Sequence, residues 1–391
     1  MNLIDARELK IHDQPGLNFE ISPESDGEIE KRLEIERILQ QSTDQCLDPS
    51  KLRYLAVSSF GLVTDDLRRI LWPQLAGVDL ALLERAPSLS ELQGHPEYNQ
   101  VLLDVNRSLK RFPPGIPYEQ RIALQDQLTV LILRVMKKYS NLRYYQGYHD
   151  VAVTFLLVSG EEVAYAIMKQ LSTTHFSECM QETMEATQRR LMFIWPIVNF
   201  ENPKLFEFLQ RSAVGTLFAL PWYLTWFGHS LNSYKTVVRI YDYFLASPMH
   251  APIFVTAAIL LYRADEIMLE DCDMASVHCV LSKLPEDLPF EELLTISSKL
   301  YDTYSLTVIE NEVEQLLHKE KEQRRLEDTI ILERRKKQLN RAPFAIGKLR
   351  LSQWLPILLT PKSVIVTTAV SIVVGCCAYY YKNQYLAAGI S

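Results

Sequence analysis

The sequence predicts an all-α protein, and three observations carry that expectation. Apolar residues recur at helical spacing from about residue 52 to 317. The pattern is clearest over 121–139, where Leu124, Leu128, Leu131, Ile132, Val135 and Tyr139 fall at i, i+4, i+7, i+8, i+11 and i+15, the signature of a buried helix face. Prolines such as Pro117, Pro196, Pro203, Pro221 and Pro252 divide the stretch into helices of ordinary length, because a residue without an N–H is tolerated at a helix start but not in its interior. No segment shows the alternation of apolar and polar residues that marks a half-buried strand.

In chain order, residues 1–26 are polar and turn-rich and read as a flexible arm. Residues 27–57 form an N-terminal helical segment, opened by a charged amphipathic helix over 27–41 with Ile29, Leu33, Ile35, Ile38 and Leu39 as its apolar side. The main domain covers 58–300. Its 12-residue uncharged run at 251–262 is too short to cross a bilayer and reads as a core helix. A charged helical stalk follows over 301–350, in which Leu326, Ile330 and Leu339 supply too few heptads for a coiled coil. Residues 351–363 form an apolar linker broken by Pro356 and Pro361, suited to lying in a membrane interface.

Residues 364–381 are 18 in number and carry no charge. As a helix they extend about 27 Å, most of the thickness of a bilayer core. Lys362 and Lys382 bracket the run, and Tyr379, Tyr380 and Tyr381 sit at its end, where interfacial aromatics belong. We expect a transmembrane tail anchor there, with 382–391 as a short far-side tail and the body in the cytosol.

The charge distribution agrees. The 391-residue chain has a net charge of −7 and 48% hydrophobic residues, enough for a large core and a poor match to nucleic acid. Between 319 and 350 eleven Lys/Arg face five Asp/Glu, whereas residues 1–318 carry a net −15. A basic stalk beside an apolar tail is a juxtamembrane arrangement. The six cysteines form no CxxC and there is no HExxH, so reduced thiols and no metal site are expected. No GxxxxGK[ST] or GxSxG is present, which argues against a nucleotide site of the chain's own and against a serine hydrolase.

Two local patterns carry possible chemistry. A helix over 98–111 would put Tyr98, Val101, Leu102, Val105 and Leu109 on one side and Arg107 almost opposite, with Asp104 one turn before it. By itself this is a surface Asp–Arg pair worth a few tenths of a kcal/mol. Further on, Gln146 and Gly147 between aromatic residues suit a tight turn exposing an uncharged amide.

Together, in this order, they resemble the TBC-domain family of Rab GTPase-activating proteins. Val101, Asp104 and Arg107 match the spacing IxxDxxR, with Val for Ile, and Tyr144, Gln146 and Gly147 match YxQG. Upstream, Leu67, Arg68, Leu71 and Trp72 look like the family's opening element. Downstream, Pro221 to Phe227 and Arg239, Asp242, Phe244 and Leu245 look like its later blocks. The likeness covers residues 58–265 and implies a two-lobed, V-shaped helical domain that docks on a GTP-bound Rab.

It also implies roles. Arg107 would neutralise charge developing between the β- and γ-phosphates, and Gln146 would orient the attacking water. Asp104 would brace Arg107, while Tyr144, Arg68 and Trp72 would set the packing, with Gly147, Arg239 and Asp242 in support. GTP and Mg²⁺ would be carried by the partner, so no cofactor of the chain's own is expected. The anchor and the likeness together imply the endoplasmic reticulum membrane and traffic to the Golgi. Two departures stand out. Arg111 follows Arg107 by one turn on nearly the same face, although spacing from Asp104 favours Arg107. Tyr148 and His149 replace the family's usual apolar residue and Asn, with His149 read as a packing or hydrogen-bonding residue rather than a catalyst. The competing readings are a non-catalytic, membrane-anchored Rab-binding scaffold and a membrane-shaping protein with an inserted hairpin.

Overall fold

The computed structural model describes residues 23–42, 46–83, 85–108 and 117–341. Most of the polar arm, Arg111, the apolar linker and the uncharged run at 364–381 lie outside the described residues. Within them there are helices and turns and no strand, as the periodicity predicts. The chain forms two compact units, one through Leu317 and one from His318.

Helix α1 (Asp26–Gln41) begins with a capping box, in which the Ser25 hydroxyl and the Glu28 side chain satisfy each other's backbone amides. Its buried face differs from the expected one. Ile35 and Leu39 are buried, but Ile29 and Leu33 are exposed, and Glu28 and Lys31 take their place. The physical reason is that α1 docks partly through polar contacts: Lys235 pairs with Glu28 at 2.6 Å, and Lys31 donates to the Ser58 hydroxyl at 2.8 Å. Helices α2 (Pro49–Val57) and α3 (Asp65–Leu75) follow. Asp48 and Thr64 are their N-caps, each accepting from backbone amides of the first turn.

Helix α4 (Tyr98–Ser108) packs against α5 (Tyr118–Lys138) and α6 (Tyr148–Ser159), and both of those pack against α7 (Glu161–Thr173). Then come α8 (Glu185–Leu191), α9 (Ile194–Glu201), α10 (Pro203–Ser212), α11 (Leu220–Leu224) and α12 (Tyr234–Ala246). Helix α13 (Ala251–Tyr262) is the uncharged run read as a core helix, and every residue from Ala251 to Leu260 is indeed buried, against α9 and α16 (Phe290–Thr303). Between α13 and α16 lie α14 (Ala264–Met268) and α15 (Met274–Leu281).

Aromatic rings fill the centre. Trp72 meets Phe155 edge-on at 5.1 Å, Trp226 meets Tyr241 at 5.4 Å, and Phe176 packs on Trp226 at 4.9 Å. Helix α17 (Leu306–Arg341) starts within the first unit, where Ile309 and Val313 are buried. From His318 to Lys337 its side chains are all exposed. Pairs at helical spacing, such as Glu320 with Arg324 at 3.8 Å, are what an unburied helix has to draw on. Among the described residues no helix is long and apolar enough to cross a membrane.

Candidate functional site

A groove of about 600 Å³ opens in the first unit, and both patterns singled out from the sequence line it. One wall carries Asp104 and Arg107 of α4. Gln146, Gly147, His149 and Asp150 come from the start of α6, and Thr225, Gly228 and His229 from the turn after α11.

Arg107 is 69% exposed while Asp104, one turn earlier, is 1% exposed, with 3.9 Å between Nη1 and Oδ1. This corrects the surface-pair expectation for the aspartate: its carboxylate is buried and only the arginine faces solvent. Asp104 is held from the other side. Its Oδ2 accepts from Gln100 Nε2 and from the Tyr144 hydroxyl, each at 3.1 Å. The Tyr144 hydroxyl also meets His149 Nδ1 at 2.9 Å. Burial, and then the neighbouring Asp104, raise the Tyr144 phenol well above its usual range, so it stays a donor. Burial pushes His149 below the ordinary histidine value, against the opposing pull of Asp150.

Gln146 is exposed between two buried tyrosines. The Tyr145 hydroxyl donates to the Leu224 carbonyl at 2.9 Å, and the Tyr148 hydroxyl meets Ser172 Oγ at 2.7 Å. These two anchors fix the backbone on either side of the amide side chain. Gly147, the N-cap of α6, has φ +111°, a conformation that costs a side chain dearly. A Cβ there would also lie 2.9 Å from Thr225 Cγ2. Thr225 is itself fixed, its hydroxyl donating to the Pro221 carbonyl at 2.7 Å and accepting from the His229 amide at 3.2 Å. The next residues, Trp226 and Phe227, hold positive φ of +47° and +64°. For non-glycine residues this is strain that persists only where packing imposes it, and both are buried.

Arg68, Trp72, Arg239 and Asp242 stand apart from this groove lining, in a second polar cluster. Asp242 on α12 has no exposed surface. Its carboxylate accepts from Arg68 Nε at 3.0 Å and Nη2 at 2.9 Å, from Trp72 Nε1 at 2.7 Å and from the Leu62 amide at 3.0 Å. Burial opposes the charge on Arg68, but the adjacent Asp242 outweighs it and the net shift is upward. Arg239 caps the end of α2, donating to the carbonyls of Ala56, Val57 and Ser58, and holds Glu291 at 2.7 Å. These residues weld α2, α3, α12 and α16 together. Tyr144 is not among them: it belongs to the Asp104 network.

Asp150 and His229 were not singled out by sequence. Asp150 Oδ2 and His229 Nδ1 are 2.9 Å apart across the groove. The available signal was position alone, since Asp150 falls in the first turn of the helix that Gly147 starts. Among the described residues no group of His, Cys, Asp or Glu is arranged to hold a metal ion. Arg107 brings a cation to the groove and Gln146 an exposed neutral amide, which suits charge stabilisation and the orientation of a small molecule.

The family model for the Rab-GTPase-TBC domain matches residues 65–268. TBC1 domain family member 20 of Bos taurus is 44% identical over 276 residues, 71% of this chain and 68% of that one. GTPase-activating protein gyp10 of Schizosaccharomyces pombe is 28% identical over 254 residues, 63% of this chain and 67% of that one. Among solved structures, the Ypt/Rab-GAP domain of Gyp1p superposes with a TM-score of 0.57 at 16% identity, covering 70% of this chain and 97% of that domain. That last likeness shows the fold.

Proposed function

The chain belongs to the Rab-GTPase-TBC domain family, and on that premise we propose that it accelerates GTP hydrolysis by a Rab-type small GTPase, supplying Arg107 and Gln146 to the partner's nucleotide site. The observation that carries this is that the two residues, far apart in sequence, line the same groove and are both exposed.

Phosphoryl transfer needs positioning and electrostatic stabilisation rather than a covalent partner. A guanidinium stays charged and presents fixed donors to phosphate oxygens, and it is the only charged group of the pair. Gln146 brings both a donor and an acceptor, which a water attacking phosphorus needs in order to be aimed. GTP and Mg²⁺ belong to the partner. A Rab-binding scaffold without turnover would need neither side chain in the groove, and their joint presentation favours the catalytic reading.

The proposed setting is the cytosolic face of the endoplasmic reticulum membrane, in traffic toward the Golgi, with residues 364–381 as the bilayer anchor. The uncharged run, its flanking lysines and the basic stalk before it support this. The activity is tested by measuring GTP turnover of a panel of Rabs with the full chain in detergent; no stimulation of any member would overturn it. The anchor is tested separately by extracting membranes carrying the protein. An inserted helix resists high salt, whereas an electrostatically bound protein washes off.

A further inference from the structure

We infer that His149 is a positioning residue for Arg107, acting through Tyr144 and Asp104; the inference rests on the reading of Arg107 as the group lent to the GTPase.

The argument is one of donors and acceptors. A carboxylate oxygen can only accept, so at 3.1 Å the single proton of the Tyr144 hydroxyl goes to Asp104 Oδ2. The tyrosine oxygen is then free to accept, and the group facing it at 2.9 Å is His149 Nδ1. That contact is a hydrogen bond only if Nδ1 carries the proton. The far nitrogen, Nε2, lies 3.5 Å from Asp150 Oδ1, longer than the 2.9 Å by which His229 holds the other oxygen of Asp150. Asp150 is thus engaged mainly by His229, and the stronger contact of His149 is with the tyrosine.

The consequence reaches Arg107 through the division of labour at Asp104. Gln100 and Tyr144 both occupy Oδ2, which leaves Oδ1 turned to Arg107. If the tyrosine hydroxyl loses its partner it can rotate off Oδ2, and the carboxylate can turn with it. Arg107, whose Nη1 lies 3.9 Å from Oδ1, then loses the charge that directs it. His149 is 6% exposed and lines the groove beside this chain of bonds, so it acts on the arginine from within the wall.

The test separates donation from packing. His149→Asn keeps a donor at the Nδ1 position, His149→Gln keeps one only at the Nε2 position, and His149→Leu keeps neither. GTP turnover is measured with the GTP-bound Rab as the varied substrate, using the full chain. We expect His149→Asn to retain most of the stimulated kcat. His149→Gln and His149→Leu should lose between about 10- and 100-fold, the range over which a displaced catalytic group costs rate, with KM changed by no more than about twofold. Tyr144→Phe, which removes only the hydroxyl, should match the leucine variant, and combining the two should add little.

Equal loss in all three His149 variants would make the residue a packing element and overturn the inference. So would full activity of Tyr144→Phe. Arg107→Ala is the control for the underlying reading. If it leaves stimulation intact, the arginine assignment itself fails. If it abolishes stimulation while His149→Leu and His149→Gln keep full kcat, only the positioning role falls.

Discussion

The indole N–H of Trp72 donates to Oδ1 of Asp242 at 2.7 Å, a bond between residues 170 positions apart. The same carboxylate receives Arg68 and the Leu62 amide, so one buried oxygen pair closes the first helices of the domain onto α12.

Removing that carboxylate should therefore be costly. Asp242→Ala takes from the buried Arg68 its fully buried partner and leaves it the half-buried Asp65 at 3.0 Å, and we expect a loss of about 3 kcal/mol, the lower end of what breaking a buried ion pair costs. Trp72→Phe, which deletes one donor and keeps the ring, should cost less. Denaturant melts measure both, and an Asp242→Ala protein nearly as stable as the parent would show that the cluster is not a structural weld.

At the groove, Arg107→Ala and Arg107→Lys should both reduce stimulated turnover by about 10³-fold or more, because a lysine cannot reproduce the fixed fork of donors. The melting temperature should stay put, since the side chain is 69% exposed. Arg111→Ala should lose far less. A greater loss at Arg111 would shift the finger assignment by one helical turn.

Gln146 is tested against the partner's own glutamine. Where the activator lends only an arginine, the GTPase glutamine orients the water and cannot be replaced. Here a Rab with that glutamine changed to alanine should still be strongly stimulated by the parent protein and should barely respond to Gln146→Ala. Single-turnover hydrolysis in all four combinations, at saturating activator, decides it. A Rab whose own glutamine is indispensable while Gln146→Ala is harmless would return Gln146 to the status of a turn residue.

Gly147→Ala should impair both folding and turnover, for two separable reasons. The φ of +111° penalises any Cβ, and that Cβ meets Thr225 Cγ2 at 2.9 Å. Thr225→Ser removes the methyl but keeps the hydroxyl that bonds Pro221 and His229. Added to Gly147→Ala, it should recover part of the stability and not all. Full recovery would mean that the backbone conformation costs little, and no recovery that the clash is not the obstacle.

The histidines predict a direction for pH. His149, His175 and His250 all sit below the ordinary value, burial being the first cause in each, and His250 is lowered to about 4. For a base depressed on folding, the unfolded chain binds more protons once pH drops below about 6.5. Their contribution is thus complete above that pH and is lost as pH falls toward 4. Stability curves for the parent and for His250→Gln should differ in slope between pH 6.5 and about 4 and run parallel above that window. If the substitution leaves the slope between pH 6.5 and 4 unchanged, His250 is not titrating as described.

Much of this architecture was legible in advance where the cause is local. The period of residues 121–139 and the bare apolar run of α13 report burial directly, and Gln146–Gly147 reads as a turn because glycine alone relieves its geometry. Asp104 was not legible as a buried group. On the helix it lies beside exposed positions, and what covers it is Tyr144, forty residues on. The face of α1 was misjudged for a related reason. Counting apolar residues cannot show that Lys235 and Ser58, supplied by distant segments, would draw Glu28 and Lys31 inward. Asp242 carried a motif position but no hint of its four donors, which converge only in three dimensions.

That convergence has a temporal side. Arg68 and Asp242 are separated by 174 residues, and at about 5–20 residues per second a ribosome takes roughly 10–35 s to cover the distance. Through that interval α3 exists with its arginine and indole made and their shared acceptor not yet synthesised. Until then Arg68 has Asp65 of its own helix, at 3.0 Å, as its partner. Helix α3 can meet α6 and α7 in that interval, but its final contact waits for α12, which leaves the half-built domain open to chaperones and proteases while those 174 residues are made.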